Sequence, residues 1–259
     1  MHLTPDWPAP VGVRALMSTR VGGVSEVPFD SLNLRPAALA GADQDDPAAI
    51  AENQRRFAAG LGAQPVWLNQ VHGAVVRRLT QADLGAKKTL PMADAAITTE
   101  PGIACAVLVA DCLPVLLCSA DGTVVGAAHA GWRGLAAGVL EASLAAMQQA
   151  SGCKPGEVLA WLGACIGPAA FEVGADVLLA FGATPGEPGR RFNFNPRPDG
   201  SPRWRADLAG LARDRMHAVG VTQISGGGEC TVSQPSRFFS FRRDGRTGRM
   251  AAAIAIVPG

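Results

Sequence analysis

The sequence predicts an α+β fold: a single-domain layered sandwich with a mixed β-sheet core and flanking helices. Three observations carry that expectation. Strand-like runs outnumber helical ones, turn signals recur between them, and the centre of the chain is almost continuously apolar. No repeat or long linker divides residues 1–259, so one domain is expected, and a chain that is 48% hydrophobic has ample material for a core.

The elements follow in order. Residues 14–18 read as a first strand, followed by a turn at Gly22 and Gly23. Asp46 and Pro47 open an amphipathic helix to about Gly62, with an acidic start, proline in the first turn and glycine at the end. Segments 66–68, 75–79 and 94–98 read as further strands. The runs 104–110, 115–118 and 123–128 are small or β-branched throughout, as expected of strands covered on both faces. Asp121-Gly122 between the last two is a hairpin signal. Residues 134–150 are rich in Ala and Leu and predict a helix ending near Gly152. A strand at 158–162, a short helix at 174–181 and an amphipathic helix at 206–219 come next, with a Pro-, Gly- and Arg-rich surface loop at 185–202. Segments 221–225, 238–241 and 250–257 supply the last strands.

Charge excludes some function classes. Lys+Arg (23) and Asp+Glu (22) nearly cancel to a net +1, which gives no electrostatic case for nucleic acid or a membrane as partner. The cluster Arg242, Arg243, Arg246 and Arg249 reads as a solvated turn or a phosphate-attracting patch. The longest apolar stretch, 103–118, is broken by Asp111 and Pro114 and is short for a membrane span. The start of the chain lacks the basic and apolar pattern of a secretory signal, so a cytoplasmic location is expected. In that reducing setting the six cysteines read as buried thiols or ligands.

Only four histidines are present. His2 is terminal and expected to be disordered, and His217 sits in the last turn of a helix, where a cation is ordinary. His72 and His129 are different, each following an apolar strand beside glycines that admit close backbone approach. Cys112 also borders a strand, and the Asp121-Gly122 hairpin returns the chain from Cys112 to His129. Cys105, Cys118 and Cys153 read as small core hydrophobes. Cys165 and Cys230 read as structural, with a supporting position behind the site as the alternative. Two imidazoles and a thiolate form a three-ligand zinc set whose fourth position is open to water, and such a metal lowers that water's pKa to roughly 7. The same residues also admit a metal-free reading, with Cys112 as nucleophile and His129 as its base.

Seven stretches carry a family resemblance: STRVGGVS at 18–25, SLNL at 31–34, NQVHG at 69–73, ADCLP at 110–114, HAGWRG at 129–134, IGP at 166–168 and FFSFRRDG at 238–245. In this order they resemble the laccase-domain family, also called the YfiH-like or polyphenol oxidase/purine nucleoside phosphorylase family. The resemblance implies a zinc site at His72, Cys112 and His129, with copper as the alternative occupant. It implies a purine nucleoside and phosphate as substrates, through phosphorolysis of adenosine, inosine, guanosine or methylthioadenosine and deamination of adenosine. Other members are described as copper-dependent polyphenol oxidases or as editing amidases for peptidoglycan precursors. The implied fold is similar to the cytotoxic necrotising factor catalytic domain, whose Cys–His pair keeps the metal-free reading open.

On this basis the candidate catalytic residues are Cys112, His129, Asp111 and Arg133, and the candidate substrate-binding residues are Arg20, Asn33, Gln70, Asp94 and Arg242. Asp94 and Asp111 read either as proton shuttles or ligand-orienting groups, or as plain turn carboxylates. The chain contains no tyrosine, so Phe171 and Phe241 lack the hydroxyl that relatives often carry there. Four histidines are too few for the mononuclear and trinuclear copper centres of a true multicopper oxidase.

Overall fold

The computed structural model describes residues 2–41, 43–85 and 89–257. Its first strands are β1 (His2–Leu3), β2 (Val13–Ser18), β3 (Gln64–Val66), β4 (Val76–Arg78), β5 (Ala95–Thr98), β6 (Ile103–Val109) and β7 (Leu113–Ser119). The later ones are β8 (Val125–Ala130), β9 (Val158–Leu162), β10 (Glu172–Val173), β11 (Phe192–Phe194), β12 (Trp204–Ala206), β13 (Gln223–Gly226) and β14 (Met250–Ile256). The helices are α1 (Pro47–Leu61), α2 (Trp132–Ala136), α3 (Val139–Ser151), α4 (Ala175–Ala180), α5 (Leu208–Ala218) and α6 (Phe241–Asp244).

Two mixed sheets face one another. One runs β1-β2-β14-β6-β3, the other β13-β9-β7-β8-β5-β4, and a small antiparallel sheet β10-β12-β11 lies apart. The strands alternate their side chains between two cores. From β6, Cys105, Val107 and Val109 meet Leu116, Cys118 and Val125 of the other sheet, while Ala104, Ala106 and Leu108 pack with Phe57 and Leu61 of α1. From β7, Val115 and Leu117 join Leu140, Leu144 and Met147 of α3 and Leu208 and Met216 of α5. The layers are therefore helix, sheet, sheet, helix. A continuous apolar run announces that both faces of a strand are covered, but it does not say whether a helix or a second sheet does the covering. For that reason the sequence suggested one mixed sheet where there are two.

Local signals explain most elements. Asp46 caps α1 by accepting the N–H groups of Ala48 and Ala49, and Gly62 ends it in the left-handed region. The Asp121 carboxylate accepts from Thr123 N–H and from the hydroxyls of Ser119 and Thr123, closing the turn between β7 and β8. The helix expected over 134–150 is divided into α2 and α3 at Gly138, whose φ of 91° is foreign to an α-helix. Burying Val139, Leu140 and Met147 of α3 stabilises the fold by about 1.5–3 kcal/mol each, well above helix-propensity differences of under about 1 kcal/mol.

Four expectations are corrected. His2 is ordered, paired with Ser18 across β1 and β2. The segment 238–241 is not a strand: Phe238 and Phe239 are buried between the sheets, and Ser240 caps α6 by accepting Arg243 N–H. Within the expected loop 185–202, β11 opens a hairpin with β12, continued by the Asn195–Arg203 and Arg197–Ser201 backbone bonds to a turn at Pro198-Asp199-Gly200, so residues that read as loop are the turn of a hairpin. Past Val66 the chain leaves the sheet, and Asn69 makes an isolated bridge to Met92 instead.

Candidate metal centre

The chain crosses from the first sheet to the second between β6 and β7, and Asp111 and Cys112 occupy that crossing. His129 lies near the end of β8, opposite Pro114 of β7 in the antiparallel register. The hairpin therefore brings Cys112 and His129 together. His72 arrives on the loop between β3 and β4, with a left-handed φ of 61°. The ligand atoms of His72, Cys112 and His129 all lie within 4.8 Å of one another, and Cys112 Sγ is 3.8 Å from His72 Nε2. A tetrahedral zinc with bonds of about 2.0–2.3 Å spaces its ligands roughly 3.3–3.8 Å apart, so this nitrogen–sulfur–nitrogen set fits a divalent ion after small side-chain adjustments.

Asp94 holds two of the three candidate ligands. It is fully buried, and its carboxylate accepts His129 Nδ1 at 2.9 Å, which leaves Nε2 facing the cluster. The same carboxylate accepts the backbone N–H groups of Val71 (3.2 Å), His72 (2.8 Å) and Gly73 (2.7 Å). Burial alone would raise the Asp94 carboxyl, but the bond to His129 and the backbone donors bring it below its ordinary value. Such a carboxylate behind a ligating imidazole fixes tautomer and ring orientation. The left-handed turn at His72 aims three consecutive N–H groups at one acceptor.

Burial would also raise the Cys112 thiol. The opposing charge of His129, with hydrogen bonds from His129 and His72, reverses this and brings it down to about 6. Burial would lower the His129 imidazole, yet Cys112 and Asp94 raise it to about 9. Cys112 is thus a thiolate near neutral pH, the form in which cysteine binds metal or attacks an electrophile.

Two glycines of the HAGWRG stretch let the site close. A Cβ on Gly131 would stand 2.9 Å from Cys112 Sγ and 3.0 Å from His72 Cδ2, and one on Gly134 would stand 2.7 Å from the Gly73 carbonyl. Asp111 has a φ of 100°, a strained conformation for a residue with a side chain. Its carboxylate accepts Thr231 Oγ1 and, at 2.7 Å, Arg242 N–H, while its carbonyl accepts Ile166 N–H. Both carboxylate oxygens are thus engaged in holding the turn.

The trio lines a cleft of about 530 Å³ together with Gln70, Asp111, Trp132, Arg133, Phe171 and Phe241. Arg133 lies over the Trp132 ring, and Arg242 over Phe171. Phe241 is 58% exposed and offers a flat apolar face. Arg35 and Arg249 form part of the same wall. Of the basic cluster near the C-terminus, Arg242 and Arg249 line the cleft, whereas Arg243 is bonded to Asp244 and to backbone carbonyls and Arg246 lies over Phe29.

The remaining expected residues are placed as follows. Gln70 lines the cleft with its amide doubly bonded to the Leu108 backbone. Asp94 does not line the cleft but stands behind His129. Arg20 is held by Asp30 over the Phe239 ring, away from the cleft lining. Asn33 is buried; its side-chain oxygen accepts the backbone N–H groups of Arg35 and Arg249, so it supports two cleft residues from behind. Arg35 was not among the expected residues, although it directly follows the SLNL stretch at 31–34; its place beside Arg249, 214 positions away, is a tertiary contact. All six cysteines are unpaired; Cys105 and Cys118 are core residues as expected, while Cys153 is only half-buried. No helix among the described residues is long and apolar enough to cross a membrane.

Comparison with known proteins gives the wider context. Residues 14–257 match the family described as multi-copper polyphenol oxidoreductase laccase. A Pseudomonas aeruginosa protein named purine nucleoside phosphorylase is 50% identical over 252 residues, covering 97% of each chain. An Escherichia coli K12 protein named purine nucleoside phosphorylase YfiH is 48% identical over 257 residues, covering 98% of each. A Neisseria meningitidis crystal structure superposes with a TM-score of 0.87 at 44% identity, covering 99% of both chains. YlmD from Geobacillus stearothermophilus superposes with a TM-score of 0.85 at 31% identity, covering 97% of this chain and 94% of that one.

Proposed function

We propose, from the premise that this chain belongs to the multi-copper polyphenol oxidoreductase laccase family, that it is a metal-dependent purine nucleoside phosphorylase. The observation that carries the reading is the convergence of His72, Cys112 and His129 at the cleft, with Asp94 orienting two of them. The names of its relatives supply the reaction class. These three side chains would hold the ion, and a divalent cation with an open fourth position supplies Lewis acidity at that end of the cleft. Zinc is the proposed occupant, since its tetrahedral preference suits two imidazoles and one thiolate; copper is the competitor on affinity.

The other cleft residues suit the two substrates. Phe241 presents aromatic surface for a purine, and the guanidinium groups of Arg133 and Arg242 suit a phosphate, which arginine binds through paired N–H donors. In phosphorolysis a phosphate oxygen bonds to the anomeric ribose carbon as the bond from that carbon to the purine nitrogen breaks. Asp111 keeps Cys112 and Arg242 in place from behind, through its bond to the Arg242 backbone. Adenosine deamination is proposed as a second reaction of the same site.

One observation favours a second reading. Cys112, His129 and Asp94 form a thiolate–imidazolium–carboxylate series, the arrangement of a cysteine hydrolase. The two readings separate cleanly. The metal reading predicts about one equivalent of zinc in the purified protein and loss of both zinc and inosine phosphorolysis in His129→Ala. The hydrolase reading predicts activity that survives chelation and is abolished by alkylating Cys112.

A further inference from the structure

Behind the Asp111–Cys112 turn, two irregular segments run side by side and meet in an isolated parallel bridge between Cys165 and Cys230. Two backbone hydrogen bonds bracket it: Cys165 N–H to the Glu229 carbonyl at 3.3 Å, and Thr231 N–H to the Cys165 carbonyl at 2.9 Å. Partners in such a bridge point to one face from backbones roughly 4.7–4.9 Å apart. A disulfide spans Cα separations of about 4.4–6.8 Å. Both thiols are free.

The two sulfurs sit in opposite environments. Cys165 is 2% exposed and its thiol donates to the Ile166 carbonyl; burial, helped by the nearby Cys230 sulfur, pushes that thiol up. Cys230 is half-buried, and its sulfur accepts Gly167 N–H at 3.2 Å. The N–H groups of Val232 and Ser233 and the Ser233 hydroxyl converge on the same sulfur, and they outweigh the effect of burial to lower the thiol. Gly167 admits this arrangement, because a Cβ there would lie 3.1 Å from Cys230 Sγ. Convergent backbone donors of this kind make an anion-binding concavity, here around a sulfur that belongs neither to the metal trio nor to the cleft lining.

We propose that Cys230 is an oxidation site: hydroperoxides convert its sulfur, in the thiolate form, to a sulfenic acid, which Cys165 then captures as a disulfide. In the first step the Cys230 sulfur attacks one peroxide oxygen. The S–O bond forms, the O–O bond breaks, and the other oxygen leaves as hydroxide; sulfur loses two electrons and peroxide gains them. In the second step Cys165 sulfur attacks Cys230 sulfur, the S–O bond breaks, and the departing hydroxide takes the Cys165 proton and leaves as water. Because burial keeps Cys165 protonated, this second step is the slower one. The bond would form directly behind the site, since Thr231 and Ile166, the neighbours of the two cysteines, both hydrogen-bond to Asp111.

The test is stoichiometric hydrogen peroxide on the purified protein, followed by blocking of thiols and peptide mapping. The expected product is a linked Cys165–Cys230 peptide pair, two hydrogens lighter than the separate peptides, with half-buried Cys153 still reduced. Dimedone present during oxidation should label Cys230, and in Cys165→Ser that labelling should persist when dimedone is added late. The proposal is overturned if Cys230 is oxidised no faster than Cys153. It is overturned equally if wild-type Cys230 proceeds to sulfinic acid without linking to Cys165. None of these readouts uses the nucleoside reaction, so their failure would leave the proposed function standing.

Discussion

Asp94 carries more of the site than any one ligand, because it receives the His129 ring and the three backbone donors that shape the His72 turn. Asp94→Asn keeps the shape but removes the charge. It should weaken zinc binding about 10–100-fold, as loss of a carboxylate behind a ligating histidine generally does, and competition with a chromophoric chelator would measure it. Gly131→Ala addresses geometry instead: the added methyl would press on Cys112 Sγ and His72 Cδ2. Its expected signature is at least a tenfold loss of metal affinity with an unchanged circular dichroism spectrum. In metal-free protein, Cys112 deprotonates as pH rises through about 6, against about 8.5 for an ordinary thiol. Its iodoacetamide modification, followed by peptide mapping, should therefore have a midpoint near pH 6, and His129→Ala should move that midpoint upward. A midpoint near 8.5 in the wild type would remove the electrostatic account of the site.

At the scale of elements, the break between α2 and α3 depends on Gly138. Placing alanine there forces a side chain into the left-handed region, at a cost of about 1–2 kcal/mol visible in a urea titration, with metal content unchanged. Helix α5 is tied to the preceding loop by Asp214, which bonds Arg190 and Arg191. The hydrogen bond from Arg191, helped by Arg190, lowers the Asp214 carboxyl to about 2. Its folded value lies below the unfolded value of about 3.9, so the contribution is full above about pH 4 and is lost as pH falls through about 2. Asp214→Asn should accordingly lower the urea midpoint at pH 7, and its difference from wild type should shrink as pH falls from 4 towards 2. These elements also show what was legible in the sequence. The cap and stop of α1 and the Asp121-Gly122 turn are local, so residue type announces them. The split at Gly138 was hidden by the Ala- and Leu-rich composition on both sides of it, and the β11–β12 hairpin by a Pro-, Gly- and Arg-rich stretch whose Pro198-Asp199-Gly200 turn reads equally as loop.

For the whole molecule, the position of the site follows from the topology. The passage from β6 to β7 joins the two sheets, and the hairpin back through β8 sets His129 beside Cys112. That half of the site was readable from turn chemistry and strand pattern. His72 was not, because its loop leaves β3 and crosses to the other sheet, a path with no local signal; the NQVHG stretch and its family resemblance identified it. Asn33 and Asp94 were expected at the substrate yet stand behind the residues that line the cleft, a distinction that burial decides and sequence does not. The most direct test of the central claim is phosphate-dependent release of hypoxanthine from inosine, measured before chelation, after dipicolinate treatment, and after adding back one equivalent of zinc. The account predicts activity that is lost with the metal and restored by zinc in the wild type but not in Cys112→Ala. Undiminished phosphorolysis by fully metal-free protein would contradict it.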